Sequence, residues 1–216
     1  MSDIKLLMLD FDGTTANTLP SILYCAEKVC NEEGYALDRD LLAQNMGFTT
    51  EEAFRFLTGR NDEEFITRVS ARYREIYVSE GLDMITLFDG VLETMKRLTA
   101  EGIKFAITTN NVTPIIEYTA KNLGMAPYLD NIVCLDTVSK GKPAPDIAFE
   151  SIRRAGTTIE TSVVVGDSTF DMGMGKNAGC RCCGVTYGSH DSQTLLGSGA
   201  SWVIDDFREL EKIVLG

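Results

Sequence analysis

Two rhythms of apolar and polar positions divide the chain. A short apolar run, Lys5-Leu6-Leu7-Met8-Leu9, reads as a strand and stops abruptly at Asp10-Phe11-Asp12-Gly13-Thr14. From residue 17 to residue 82 the apolar positions recur at helical spacing, and no strand-like run interrupts them. Leu19, Ile22, Leu23, Ala26, Val29 and Cys30 line one face of a helix over 18–34, with Thr18 as its expected cap, Pro20 in the first turn and Gly34 as its stop. Asp38-Arg39-Asp40 opens a short helix to about residue 45. Thr49-Thr50-Glu51-Glu52 has the form of a capping box and starts a helix that ends at Gly59. Asn61 is expected to cap a longer helix whose Phe65, Val69, Tyr73, Ile76 and Tyr77 form one stripe, ending at Gly81.

From Asp89 onward helices and short apolar strands alternate. Helices are expected over 90–101, 113–123, 145–155, from about 167 to Gly179, and over 206–214; strands over 103–108, 131–135, 162–165, 181–185 and near Val203-Ile204. Fully apolar strands alternating with helices imply an α/β fold, a Rossmann-like parallel sheet covered by helices on both faces. The strand at Lys5–Leu9 belongs to that sheet, so the expected domains are a core of residues 1–16 and 83–216 and an all-helical cap, 17–82, inserted after the first strand.

Charge changes this picture in one respect. The chain of 216 residues has a net charge of −12. Residues 16–82 carry 12 acidic and 7 basic side chains, the remainder 20 and 13, so neither part is basic. Nucleic acid and anionic membrane surfaces are therefore not expected partners. An acidic protein that takes an anionic substrate needs a local cation, which points to a metal ion. The first residues lack the basic segment of a signal peptide, and no apolar run approaches the roughly 18 residues of a membrane span. The expected location is cytoplasmic, with Cys25, Cys30, Cys134, Cys180, Cys182 and Cys183 reduced and packed; Cys180-Arg181-Cys182-Cys183 lacks zinc-ligand spacing. Monomer and homodimer both remain open.

In a parallel sheet the C-terminal strand ends open on one side, so the loops that follow them converge. Four such loops carry groups suited to one reaction. The first delivers Asp10 and Asp12, the second Thr109, Asn110 and Asn111, the third Lys140-Gly141-Lys142-Pro143, and the fourth Gly166-Asp167-Ser168-Thr169-Phe170-Asp171. Carboxylates around one hard cation suit Mg²⁺, with a phosphorylated substrate bringing a further oxygen. An aspartate can serve as a nucleophile and form an aspartyl-phosphate. A second acid two residues on can protonate the leaving oxygen and then deprotonate water, typically worth about 10²–10⁴ in rate. Lysine and metal neutralise the phosphoryl charge. Histidine is not required, and the one histidine, His190, has no assigned role.

These residues together resemble the haloacid dehalogenase superfamily in its phosphatase branch. Asp10-Phe11-Asp12-Gly13-Thr14 is similar to the family's D-x-D-G-T motif, Thr108-Thr109-Asn110 to its second motif, Lys142-Pro143 to its third and Gly166-Asp167 with Asp171 to its fourth. The resemblance implies Asp10 as nucleophile and Asp12 as general acid/base. It implies a metal site of Asp10, Asp12 (through its carbonyl), Asp167 and Asp171, filled by Mg²⁺. It implies phosphate binding by Thr109, Lys142 and the amides of Phe11, Asp12 and Asn110, and a small phosphorylated metabolite as partner. Asp12 sets the chain apart from dehalogenases, Ile22 stands where related mutases carry a cap histidine, and Lys28 is the cap's sole lysine. Pro20, Gly47 and Gly184-Val185-Thr186-Tyr187-Gly188 match phosphoglycolate phosphatase-like members; Thr15 and Asn17 depart from the usual leucine and aspartate. Met46, Phe48 and Thr49 are candidates for substrate specificity. The expected activity is Mg²⁺-dependent hydrolysis of a small phosphomonoester, most like phosphoglycolate phosphatase. A β-phosphoglucomutase-like or pyrophosphatase activity on the same core is an alternative, as is a receiver-like phospho-accepting signalling module.

Overall fold

The computed structural model describes residues 3–44 and 48–216. Two compact units emerge, one of residues up to Ala16 with Leu87–Gly216, the other of Asn17–Thr86. The 3₁₀ turn Leu82–Met84 and Thr86 go with the helical unit, so its end falls at residue 86 rather than 82.

In chain order the elements are β1 (Leu6–Leu9), β2 (Ala16–Asn17), α1 (Leu19–Glu32), α2 (Arg39–Gln44), α3 (Thr50–Thr58), α4 (Glu63–Ile76), β3 (Thr86–Leu87) and α5 (Val91–Ala100). They continue with β4 (Lys104–Thr109), α6 (Thr113–Asn122), β5 (Asn131–Cys134), α7 (Asp146–Ala155), β6 (Ser162–Gly166), α8 (Thr169–Ala178), β7 (Arg181–Val185), α9 (Ser192–Ser198), β8 (Trp202–Ile204) and α10 (Leu210–Leu215). Six strands form one parallel sheet in the order β5-β4-β1-β6-β7-β8. β1 is fully buried and pairs with β4 on one side and β6 on the other, Leu9 standing opposite both Ile107 and Val165. Because successive strand side chains alternate in direction, Leu6 and Met8 face one helical layer. There they join Ala106, Val133 and Val164 in a core with Ile147, Ala148 and Ile152 of α7, Met172 of α8 and Leu195 of α9. Their neighbours Leu7 and Leu9 face the other side, which α5 covers by packing against β4.

The chain runs from β1 outward to β4 and β5, then crosses back past β1 through α7 to β6, β7 and β8, so the strand order reverses at β1. The crevice beyond such a switch point is where an open parallel sheet gathers its loops. Asp10, Asp12, Asn110 and Asp167 follow the ends of the three central strands β1, β4 and β6, and Thr109 is the last residue of β4.

The helical unit is held by Cys25, Ala26, Val29 and Cys30 of α1, Phe54 of α3, and Phe65, Ile66, Val69 and Ile76 of α4, all buried. Thr49 forms the predicted capping box: Glu52 N donates to its Oγ1 (3.3 Å) and its own N–H donates to Glu52 Oε2 (2.8 Å). Two caps differ from expectation. Thr18 occupies the cap position of α1 in helical backbone, not the extended geometry a side-chain cap needs, and its buried hydroxyl finds no partner. The cap of α4 is Asp62, not Asn61, and Asp62 Oδ1 accepts from Phe65 N at 3.0 Å. All seven Lys and Arg side chains of this unit are ion-paired, Lys28 to Glu80, Arg39 to Glu27, Arg55 to Glu63, Arg60 to Asp62, Arg68 to Glu33, Arg72 to Glu32 and Arg74 to Glu51.

The six cysteines are buried thiols. Burial pushes Cys180 up to about 11 and Cys134, Cys182 and Cys183 up to about 12, so thiolate chemistry is suppressed. Among the described residues no helix is long and apolar enough to cross a membrane.

Candidate active site

The site begins with a turn. Asp10 N still bonds the neighbouring strand, donating to Val165 O at 2.8 Å, and the chain then bends so that Ala16 N donates to Phe11 O and Gly13 N to Ala16 O, each at 2.9 Å. Gly13 takes φ +84°, and a Cβ there would lie 2.4 Å from Asp167 Oδ2. Only glycine fits both the backbone and the approach. Thr15, the departure from the usual leucine, has a use: its buried hydroxyl reaches Asp10 O (3.0 Å) and Phe11 O (3.2 Å) and ties down the turn that carries the acids.

Three carboxylates and one ammonium meet here. Lys142 Nζ donates to Asp10 Oδ1 and to Asp171 Oδ1, both at 2.5 Å, with all three side chains nearly inaccessible to solvent. Asp10, Asp167 and Asp171 each offer an oxygen within 4.8 Å of the others. Asp167 is fixed by Ser189 N (2.7 Å to Oδ2) and the Thr14 hydroxyl (3.3 Å to Oδ1). Asp171 also closes a capping box with Ser168, accepting from Ser168 N (3.1 Å) and Oγ (2.5 Å) on Oδ2. Both its oxygens are thus engaged by protein. Asp12 is half-buried beside Asn111, whose Nδ2 lies 3.5 Å from Asp12 Oδ2. Phe11 is wholly buried, and the buried Thr109 accepts from Asn111 N on Oγ1 at 3.1 Å. Asn110 turns its carboxamide to the backbone of Lys142.

The electrostatics follow from burial. Desolvation pushes Asp10 well above the usual carboxylate range; Lys142 opposes this, while Asp171, Asp167 and Asp12 add to it. Burial first and the Asp171 charge second push Asp167 up to about 6, against the Ser189 bond. Burial disfavours the Lys142 ammonium, but Asp10 and Asp171 outweigh that and raise its pKa. Three acids against one lysine leave an excess of buried negative charge, and a divalent cation would neutralise it. The donor set is all oxygen, so the residues present fit a hard cation.

A carboxyl raised from 3.8 unfolded to about 6 folded makes the folded state hold its proton longer, so stability is lost as pH rises through that window. Without metal, Asp167→Asn should therefore gain on wild type in unfolding free energy as pH goes from about 4 to above 6. Urea unfolding at several pH values checks this, and a constant difference would contradict it.

The loop after β7 buttresses the acids in a way its residue types do not announce. Besides Ser189, it supplies Tyr187, whose hydroxyl donates to Thr14 O (2.9 Å), and His190, whose N–H donates to Asp167 O (3.2 Å). The contacts of Ser189 and His190 are backbone N–H groups, which leave no mark on residue type. Of the specificity candidates, Thr49 has its hydroxyl engaged in the capping box, and Phe48 is exposed and packs edge-on to Phe56 at 6.1 Å. Met46, like Gly47, lies outside the described residues.

The family description haloacid dehalogenase-like hydrolase matches residues 7–185. A Dickeya dadantii protein named Probable phosphatase IndB is 27% identical, the match covering 95% of this chain and 91% of that protein. A Vibrio cholerae phosphoglycolate phosphatase is 27% identical over 100% of this chain and 99% of its own length. A solved structure of a haloacid dehalogenase-like hydrolase from Bacteroides fragilis superposes with a TM-score of 0.90 at 26% identity, covering 96% of this chain and 99% of that one.

Proposed function

The chain belongs to the haloacid dehalogenase-like hydrolase family, and from that membership we propose a phosphatase that hydrolyses small phosphomonoesters through a phosphorylated Asp10. The observation that carries this reading is the buried group of Asp10, Asp167 and Asp171 around Lys142 at the switch point of the sheet. Asp10 attacks phosphorus and the bond to the leaving oxygen breaks, with Asp12 donating its proton to that oxygen. Asp12 then takes a proton from water, which attacks the phosphoryl group, and the bond to Asp10 breaks to release inorganic phosphate. Lys142, Thr109 and the amides of Phe11, Asp12 and Asn110 hold the non-bridging oxygens. Asp10, the Asp12 carbonyl and Asp167 would hold Mg²⁺, with Asp171 supporting through Lys142 and Ser168. The ion supplies Lewis-acid charge neutralisation at the phosphoryl group. The protein is read as cytoplasmic, with a small phosphorylated metabolite as its partner.

Relatives favour phosphoglycolate as the nearest substrate type. The test is phosphate release from a panel containing 2-phosphoglycolate, pyrophosphate and esters of uncharged alcohols, with Mg²⁺ and with chelator. Turnover dependent on Mg²⁺ is expected, and the ranking names the substrate class. A protein that keeps one phosphoryl group and never releases it would instead be a signalling module.

A further inference from the structure

The carboxamide of Asn110 spans a single residue. Its Oδ1 accepts from Lys142 N at 2.8 Å, and its Nδ2 donates to Lys142 O at 3.3 Å. Asn110 follows β4, whereas Lys142 lies in the loop before α7, so the two hydrogen bonds join loops 32 positions apart. Space for this contact depends on Gly141, where a Cβ would stand 2.5 Å from Asn110 Oδ1 and 2.8 Å from Leu135 Cδ1. The same loop is tied by Ala144 N to Gly141 O and by Asn177 Nδ2 to Pro143 O, both at 2.9 Å. The side-chain bonds to the backbone of residue 142 come from Asn110.

We propose that Asn110 is a positioning residue for Lys142. Its carboxamide fixes the root of the lysine so that the ammonium stands between Asp10 and Asp171, and the backbone N–H of Asn110, not this carboxamide, is the group assigned to phosphate. A lysine stem has several rotatable bonds and much rotamer freedom to lose. A planar group that accepts from the N–H and donates to the C=O of one residue holds that root in place and orientation. Aspartate cannot do both, because it would set an acceptor against Lys142 O. Alanine does neither. The geometric part of this inference stands whatever the chemistry; its effect on turnover rests on the phosphatase reading.

The test separates the two. Lysines are acetylated with limiting acetic anhydride, and the labelling of Lys142 is read by peptide mass spectrometry against the exposed Lys140. Lys142 is nearly inaccessible and tightly paired in the wild type, so it should label slowly. Asn110→Ala should raise the Lys142-to-Lys140 ratio about tenfold and Asn110→Asp by less, while turnover falls about 10- to 100-fold, mainly in kcat. Circular dichroism checks the fold, and Asn110→Asp, which keeps shape and one hydrogen bond, carries the test if Asn110→Ala does not fold. An unchanged ratio in a folded variant overturns the proposal even if turnover falls, because Asn110 would then act without moving Lys142. If no ester is hydrolysed by the wild type, the phosphatase reading fails and the labelling ratio still decides this one.

Discussion

Replacing Asp10 with asparagine should abolish turnover while leaving the fold in place. Asparagine preserves the volume of a side chain buried at the end of β1 and can still accept a hydrogen bond from Lys142. It loses the negative oxygen proposed to attack phosphorus, and losing a nucleophile costs about 10⁴–10⁶ in kcat in enzymes with covalent intermediates. The same change removes one of three acids that crowd around a single lysine, so stability should hold or rise near neutral pH. Two measurements check this. Phosphate release from the best ester should fall to background in the variant. Acid quenching of wild-type enzyme during turnover, followed by peptide mapping, should find phosphate on Asp10 and none in Asp10→Asn. Release within tenfold of wild type would remove Asp10 as nucleophile and with it the two-step mechanism. Label on another residue would move the nucleophile elsewhere.

Much of this site was legible in the sequence because it rests on local rules. Strand-forming runs that end in Asp10, Thr109 and Asp167 place those residues on one rim as soon as the sheet is read as parallel. The order of strands around β1 then brings them together. The Thr49–Glu52 capping box was legible for the same reason, since its chemistry spans only three residues. Harder cases share a physical cause. Thr18 has a capping residue type but not a capping backbone, and residue type does not fix φ and ψ. Helix α9 buries only Leu195, too little for an apolar periodicity to register. The contacts of Ser189 with Asp167 and of Asn110 with Lys142 engage backbone groups across 22 and 32 positions. Such groups exist at almost every residue, so nothing in the one-dimensional pattern distinguishes the ones that are used. Sequence resemblance marks Asp171 only as a carboxylate near the metal, and its capping bond to Ser168 shows how one side chain serves a helix terminus and Lys142 together.

Lys142→Met tests the charge balance on which the site depends. Methionine keeps the length of the buried stem, so the change removes the cation with little loss of packing. Asp10 and Asp171 lose a partner at 2.5 Å each, and Asp10, Asp167 and Asp171 are left facing one another. Removing one partner of a buried ion pair costs about 3–5 kcal/mol, which for a chain of this size lowers the melting temperature by on the order of 10 °C. The sign with pH follows from the carboxyls. Asp10 and Asp167 already titrate above their unfolded values, and losing the lysine removes the attraction that held Asp10 down. Acids raised in the folded state lose stability as pH rises between the unfolded and folded pKa values. The deficit of Lys142→Met should thus be smaller near pH 5, below the value of about 6 to which Asp167 is raised, than at pH 8. Divalent cation should narrow it at pH 8 by supplying the missing positive charge to the same oxygens. Turnover should fall about 10²–10³-fold even where the fold is restored, because on the proposed mechanism the phosphoryl oxygens lose the buried charge of Lys142. Thermal unfolding at both pH values, with chelator and with Mg²⁺, reads all of this. A variant as stable as wild type at pH 8 in chelator would mean that the three acids do not share one charge-crowded site, and the metal assignment would fall with it.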